Sequence, residues 1–241
     1  MPLTEIEVYV YVPFNEPDWI WYGGMGDYSS SSNDAIRQQF FNDWATVYSH
    51  IRSIDSVSKI AGPNFSAYNS QLMADFMGFA KAHNVVPDVI TWHELDNNFF
   101  TDYYNHYNHL RSVESQLGLS QHPIVINEYA RISGDLGVPG NLVQWITRFE
   151  NTKVDGYLAY WTTAGALNDL VTENNKATGG WWLYKWYGEM TGNTVTVTPP
   201  TQNGSLQGVA TLDSSKKQAR VIFGGSLNNT DVFNTDVVVK A

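Results

Sequence analysis

Apolar and polar residues along this chain switch repeatedly between a period near two and a period near 3.6, and the switches mark out its elements. Ile6 to Val12 alternates as a strand, and Asp34 to Ile54 carries helical periodicity with Ser32 or Asn33 as its cap. Lys59-Ile60-Ala61-Gly62-Pro63 ends a second strand, followed by an amphipathic segment from Gln71 to His83. Val89 to Trp92 leads to a helix over 101–116, Ile124 to Ile126 to one over 141–149, and Tyr157 to Tyr160 to one over 181–190. Five βα units in series predict a parallel sheet with helices outside it, an α/β fold. Beyond Met190 the pattern changes to short β runs at 194–198, 206–212, 218–223 and 237–239, broken by Pro199-Pro200 and by Gly, Asn and Ser turns. These read as a short antiparallel β appendage, so domains are expected over 1–190 and 191–241.

Two of the apolar runs stop at a carboxylate. The first ends in Asn15-Glu16-Pro17 and the second, from Pro123 to Ile126, ends in Asn127-Glu128-Tyr129. An ionised group at the end of a buried strand must be solvated or hydrogen-bonded, so packing alone is a poor reason to place it there. Two such ends point to one shared cleft, and paired carboxylates flanking a scissile bond are the working parts of glycoside hydrolysis. The plainer roles for both residues are capping or ion pairing at a loop start. For Asn15 the plain role is a turn before Pro17.

Composition narrows the partners. With 43% hydrophobic residues in 241, the chain can bury a sizeable core. A formal charge of −10 argues against nucleic acid or an anionic membrane, either of which calls for a basic surface. Nine Trp and 14 Tyr supply ring faces on which neutral sugars stack, although cores use such rings as well. Cysteine is absent, which removes disulfides and thiolate metal sites. Neither an apolar run of about 18 residues nor a secretory signal is present in the chain.

The Asn-Glu pair, the later strand-end Glu and their order resemble clan A of the retaining glycoside hydrolases, and within it family 39, across roughly four fifths of the chain. That resemblance implies a (β/α)8 barrel in which Asn15-Glu16 ends strand 4 and Glu128 ends strand 7. The five βα units then count as strands 4 to 8 of a partial barrel, and strands 1 to 3 are expected upstream of Met1. The sheet edges left open would pair with that missing part or with another chain. The appendage would be part of the β-sandwich that accompanies such barrels.

By the same resemblance the activity is cleavage of β-glycosidic bonds by double displacement, with Glu16 as acid/base and Glu128 as nucleophile. Asn15 would bond the sugar 2-hydroxyl, His93 would contact the nucleophile, and Trp161 would be a sugar platform, with a core tryptophan as its rival. The implied partner is an oligo- or polysaccharide, with no cofactor and no metal, in an extracellular or cell-surface setting. The alternatives are a catalytically inactive carbohydrate-binding or structural barrel, and a transglycosylase using the same carboxylates.

Other groups carry weaker signals. Glu94 follows His93, but the partner four residues beyond His93 is Asn97, so the zinc-protease helix pattern fails. Asp102, His106 and His109 share a helical face that could bind a metal or simply be a wet surface. Trp19, Trp21 and Tyr22 could extend the cleft or anchor their loop, Tyr68 and Asn69 could line it, and Tyr129 could bond the nucleophile or pack.

Overall fold

The structure, a computed structural model, describes residues 10–131, 135, 137–159, 165–166, 170–225, 236 and 238. Strands and helices alternate as β1 (Val10–Tyr11), α1 (Ser32–Ile54), β2 (Lys59–Phe65), α2 (Ser70–Ala82), β3 (Val89–Glu94), α3 (Phe99–Gln116), β4 (Ile124–Tyr129), α4 (Pro139–Thr152) and β5 (Asp155–Leu158). The main sheet has the order β1-β2-β3-β4-β5, with β1 parallel to β2 and β2 parallel to β3. β1, β2 and β3 lie in sequence order, as helices crossing over between adjacent parallel strands allow. This is the α/β arrangement expected of a partial barrel. The chain divides into two compact units, residues 1–94 with 104–128 and residues 95–103 with 129–241.

In the first unit, aromatic rings on successive helical turns make the core. Phe40, Phe41 and Trp44 form the buried stripe of α1, and Leu72, Met73, Phe76, Met77 and Ala80 that of α2. The Phe40 and Phe76 rings stack at 6.0 Å, Trp44 meets Phe76 edge-on at 5.3 Å, and Phe14, just past β1, reaches Phe40 at 5.4 Å. The expected cap at Ser32 or Asn33 is not what starts α1. The cap position is Ser31, without a side-chain bond, and Asn33 Nδ2 instead reaches back to Asp27 O at 3.1 Å. Helix α2 does have a side-chain cap, the Asn69 oxygen accepting from Leu72 N at 3.0 Å.

In the second unit α4 is buried over the whole stretch Asn141–Phe149. A helix hydrophobic on one stripe only would show one buried face; α4 is covered on several sides because β5, α5 (Gly179–Gly188) and an antiparallel sheet all pack on it. A short hairpin of β6 (Gly165–Ala166) and β7 (Val171–Thr172) precedes α5. The antiparallel sheet has the order β10-β9-β8, from β8 (Asn193–Val195), β9 (Gln207–Asp213) and β10 (Gln218–Gly224). β10 alternates between half-buried and exposed positions, the signature of a strand with one wet face. The C-terminal runs are therefore the antiparallel strands the periodicity predicts, seated on α4. Of the predicted strands, Ile6 to Tyr9, Tyr160, Val237 and Val239 lie outside the described residues. Among the described residues no helix is long and apolar enough to cross a membrane.

Candidate active site

Three strands of the first unit bring one acidic or imidazole group each to their carboxyl ends. Beyond β1 the chain turns at Glu16, whose backbone sits in the left-handed region at φ 45°, ψ 53°. The conformation is uncommon for a residue with a Cβ, and Asn64 locks it in place. Asn64 is itself left-handed at φ 63° and sits in the bulge where the β2–β3 register shifts. Its carbonyl accepts from Glu16 N at 3.0 Å, and its amide donates to Phe14 O at 3.0 Å and to Asn15 Oδ1 at 3.1 Å. Nothing in the sequence pattern marked Asn64; its only signal is an asparagine where a strand can bulge.

After Glu16 the chain forms a π-helical turn over Pro17–Trp21. Asp18 pins this turn to the end of β2, accepting from Ser66 N and Oγ at 2.8 Å each. Burial raises the Asp18 carboxyl above its ordinary range, the Ser66 hydrogen bonds pull it down, and the charge of Glu16 pushes it up again. The turn presents Trp19 and Trp21 to solvent, 72% and 59% exposed, whereas Tyr22 is anchored by a 2.8 Å bond to Asp43.

His93, on β3, is fully buried and points between the two glutamates. Its Nδ1 lies 2.9 Å from Glu16 Oε1 and 3.8 Å from Glu128 Oε2, which is within β4. One oxygen of each glutamate and a ring nitrogen of His93 all fall within 4.8 Å of one another. Of the residues expected at the site, Glu16, Glu128, His93 and Asn15 are therefore brought together within the first unit. His93 is nearer Glu16 than Glu128. Trp161 lies outside the described residues.

The same triangle could in principle hold a cation, but the second nitrogen of His93 tells against it. A histidine bound to a metal through one nitrogen carries its proton on the other and donates it to a partner. His93 Nε2 is buried and has no hydrogen-bond partner among the described residues. A proton there would be an unpaired buried donor, at a cost of about 1–3 kcal/mol. With the proton on Nδ1 instead, that N–H would face the carboxylates.

Glu94 faces the opposite side of β3, as strand alternation requires. It is 4% exposed and accepts from Trp92 Nε1 at 2.7 Å and His106 Nδ1 at 2.8 Å. Tyr68 stacks on His106 at 4.7 Å, with an interplanar angle of 18°, and its hydroxyl meets His109 Nδ1 at 2.8 Å. Burial, then the charges of Glu94 and Glu114, raise the Tyr68 hydroxyl above its ordinary value, so it keeps its proton. Burial and the neighbouring His106 lower His109. His106 and His109 are thus turned to Glu94 and Tyr68, and the helical face that could have bound a metal is occupied by this network. Asn69 caps α2 and donates to Gly26 O at 3.1 Å, a structural role. In the second unit, the Tyr129 hydroxyl pairs with that of Tyr184 at 2.5 Å, and burial pushes Tyr129 up to about 12.

No family model matches the chain. It is 40% identical, over 92% of its length, to a 3-O-alpha-D-galactosyl-alpha-L-arabinofuranosidase of Bifidobacterium longum subsp. longum. It spans 21% of that relative's length. A solved structure, N2152 from Neocallimastix frontalis, is 38% identical with a TM-score of 0.78, over 90% of this chain and 52% of that one. A GH39 beta-xylosidase from Caulobacter crescentus shares the fold at 14% identity and a TM-score of 0.59, over 85% of this chain and 46% of that one. Homologues of this chain are glycosidases.

Proposed function

We propose that this chain carries the catalytic carboxylates of a retaining glycoside hydrolase of clan A, family-39-like, and that the complete protein cleaves a glycosidic bond by double displacement. The observation that carries the reading is the approach of Glu16 and Glu128 to within 4.8 Å, with His93 between them. Retaining enzymes hold their two carboxyl groups about 5–5.5 Å apart, whereas inverting enzymes leave about 6.5–9.5 Å for a water. An approach this close supports direct attack by one carboxylate over an inverting arrangement.

In this mechanism Glu16, protonated, gives its proton to the leaving-group oxygen while the Glu128 carboxylate attacks the anomeric carbon. Water then displaces Glu128 and returns a proton to Glu16. Asn15, held by Asn64, would contact the sugar beside the acid. Trp161, as a sugar platform, belongs to the same proposal. The identity to the Bifidobacterium relative makes a 3-O-substituted α-L-arabinofuranoside the substrate class of choice. An extracellular or cell-surface setting completes the reading, since such polysaccharide side chains lie outside the cell.

The test is covalent labelling of the complete protein with a fluorinated or epoxide arabinofuranosyl reagent. Glu128 is expected to carry the adduct, and Glu128→Gln to abolish it. Unchanged labelling of the variant overturns the nucleophile assignment. Sugar binding with neither labelling nor release of reducing sugar would mark the inactive carbohydrate-binding alternative.

A further inference from the structure

Phe14, Asn15 and Glu16, consecutive in the chain, are each hydrogen-bonded to one residue, Asn64 near the end of β2. The double-displacement mechanism assigns Asn64 no role. We infer that the Asn64 side chain is a positioning residue that fixes the Asn15 amide with its NH2 group turned away from β2, so that a sugar beside Glu16 meets a hydrogen-bond donor there. The inference rests on the reading that Asn15 contacts the sugar. It goes further by naming the residue that sets which end of that amide is offered.

A backbone carbonyl has no proton to give. Phe14 O, 3.0 Å from the Asn64 amide, can only accept, so the group facing it is the Asn64 NH2. The reverse orientation would set two oxygens against each other. It would also bury the NH2 at the opposite end of the amide, where no partner exists among the described residues. The same NH2 lies 3.1 Å from the Asn15 side chain, so the Asn15 atom that faces it is the oxygen. With its oxygen engaged, Asn15 directs its own NH2 the other way, and Asn15 is exposed. One peptide carbonyl thus decides the orientation of two amides in turn.

Burial keeps the first of them in place. Asn64 is 1% exposed, and its backbone at φ 63° lies in the left-handed region that asparagine tolerates better than most residues. Its amide cannot turn over without breaking its bonds to both Phe14 and Asn15. Asn15 has no such packing of its own. Without the Asn64 side chain, its amide would sample both ends and several rotamers, and only a fraction of the molecules would offer a donor at any moment. Sugar affinity and rate would fall by that fraction, about three- to tenfold.

The test is a double-mutant cycle in the complete protein, built from Asn15→Ala, Asn64→Gly and the pair. Asn64→Gly removes the side chain but retains the left-handed backbone and the carbonyl that accepts from Glu16 N. The cycle is read on kcat/KM for an aryl arabinofuranoside and on the Kd of its uncleaved S-linked analogue. Asn64→Gly is expected to lose about three- to tenfold in both when Asn15 is present, and little when Asn15 is alanine. Equal losses in the two backgrounds would reveal a merely structural residue and sink the inference. Asn64→Asp, of the same shape but without a donor for Phe14 O, should lose at least as much as Asn64→Gly; parent-like values overturn the inference. In the 241-residue chain labelled with 15N-asparagine, the Asn64 side-chain protons, assigned through Asn64→Gly, should exchange slowly with solvent and those of Asn15 fast. Fast exchange at Asn64 also overturns it, whatever the activity. The catalytic reading is judged separately, by labelling at Glu128.

Discussion

The indole of Trp92 and the carboxylate of Glu94, two residues apart on the same face of β3, are joined by a 2.7 Å hydrogen bond. With His106 on α3 and Tyr68 before α2, this pair ties three elements together on the face of β3 opposite His93. Its consequences can be measured.

Replacing Glu94 by alanine leaves the Trp92 and His106 donors without their buried acceptor. The expected loss is about 2–4 kcal/mol of unfolding free energy, read as a lower urea midpoint. Glu94→Gln, which retains a carbonyl acceptor, should lose much less. Equal losses would mean that the charge on Glu94, rather than its acceptor, holds the network.

The packing of β2 against α1 gives a second prediction. A Cβ added at Gly62 would overlap the buried Trp44 ring, whose Nε1 is held by Val85 O at 2.8 Å. Because the ring is fixed at its far end, Gly62→Ala is expected to destabilise by about 1–3 kcal/mol and to change Trp44 fluorescence. Gly78, on α2, has open space around it, and Gly78→Ala should be neutral or stabilising.

The histidine behind the site predicts a pH effect. Burial and the charge of His106 lower His109 below the ordinary histidine value of about 6.5. The unfolded chain therefore takes up this proton first as pH falls. The stability linked to His109 is present above about 6.5 and is lost as pH drops through its lowered folded value. Urea midpoints at several pH values, compared with those of His109→Asn, should show the variant with the flatter slope below about 6.5. An NMR titration that placed His109 at or above the ordinary value would contradict this.

The acid/base role proposed for Glu16 predicts its own signature in the complete protein. Glu16→Ala is expected to lose about 10²–10⁴-fold in rate on substrates with poor leaving groups, and far less on aryl glycosides that leave unaided. Azide should restore part of the rate on the activated substrates. An equal loss on every substrate would remove Glu16 from the acid/base role.

Much of this was legible in the chain as a string of residues. The switching of apolar period placed every βα unit, because side chains repeat every two residues in a strand and about every 3.6 in a helix, whatever surrounds them. The Asn-Glu endings marked Glu16 and Glu128, because a carboxylate closing an apolar run is conspicuous locally. Tertiary structure decided how these groups meet. Glu16 and His93 are 77 residues apart, Glu16 is held by Asn64 across a strand pairing, and Glu94 and His106 find each other only through the packing of α3 on β3. No local period encodes such contacts; they exist once parallel strands lie side by side and carry their carboxyl ends to a common edge. The near-complete burial of α4 was hidden for the same reason, since the residues that cover it arrive from β5, α5 and the antiparallel sheet. Sequence alone named the groups that could do the chemistry, whereas the fold set the distances between them, on which proton transfer and nucleophilic attack depend.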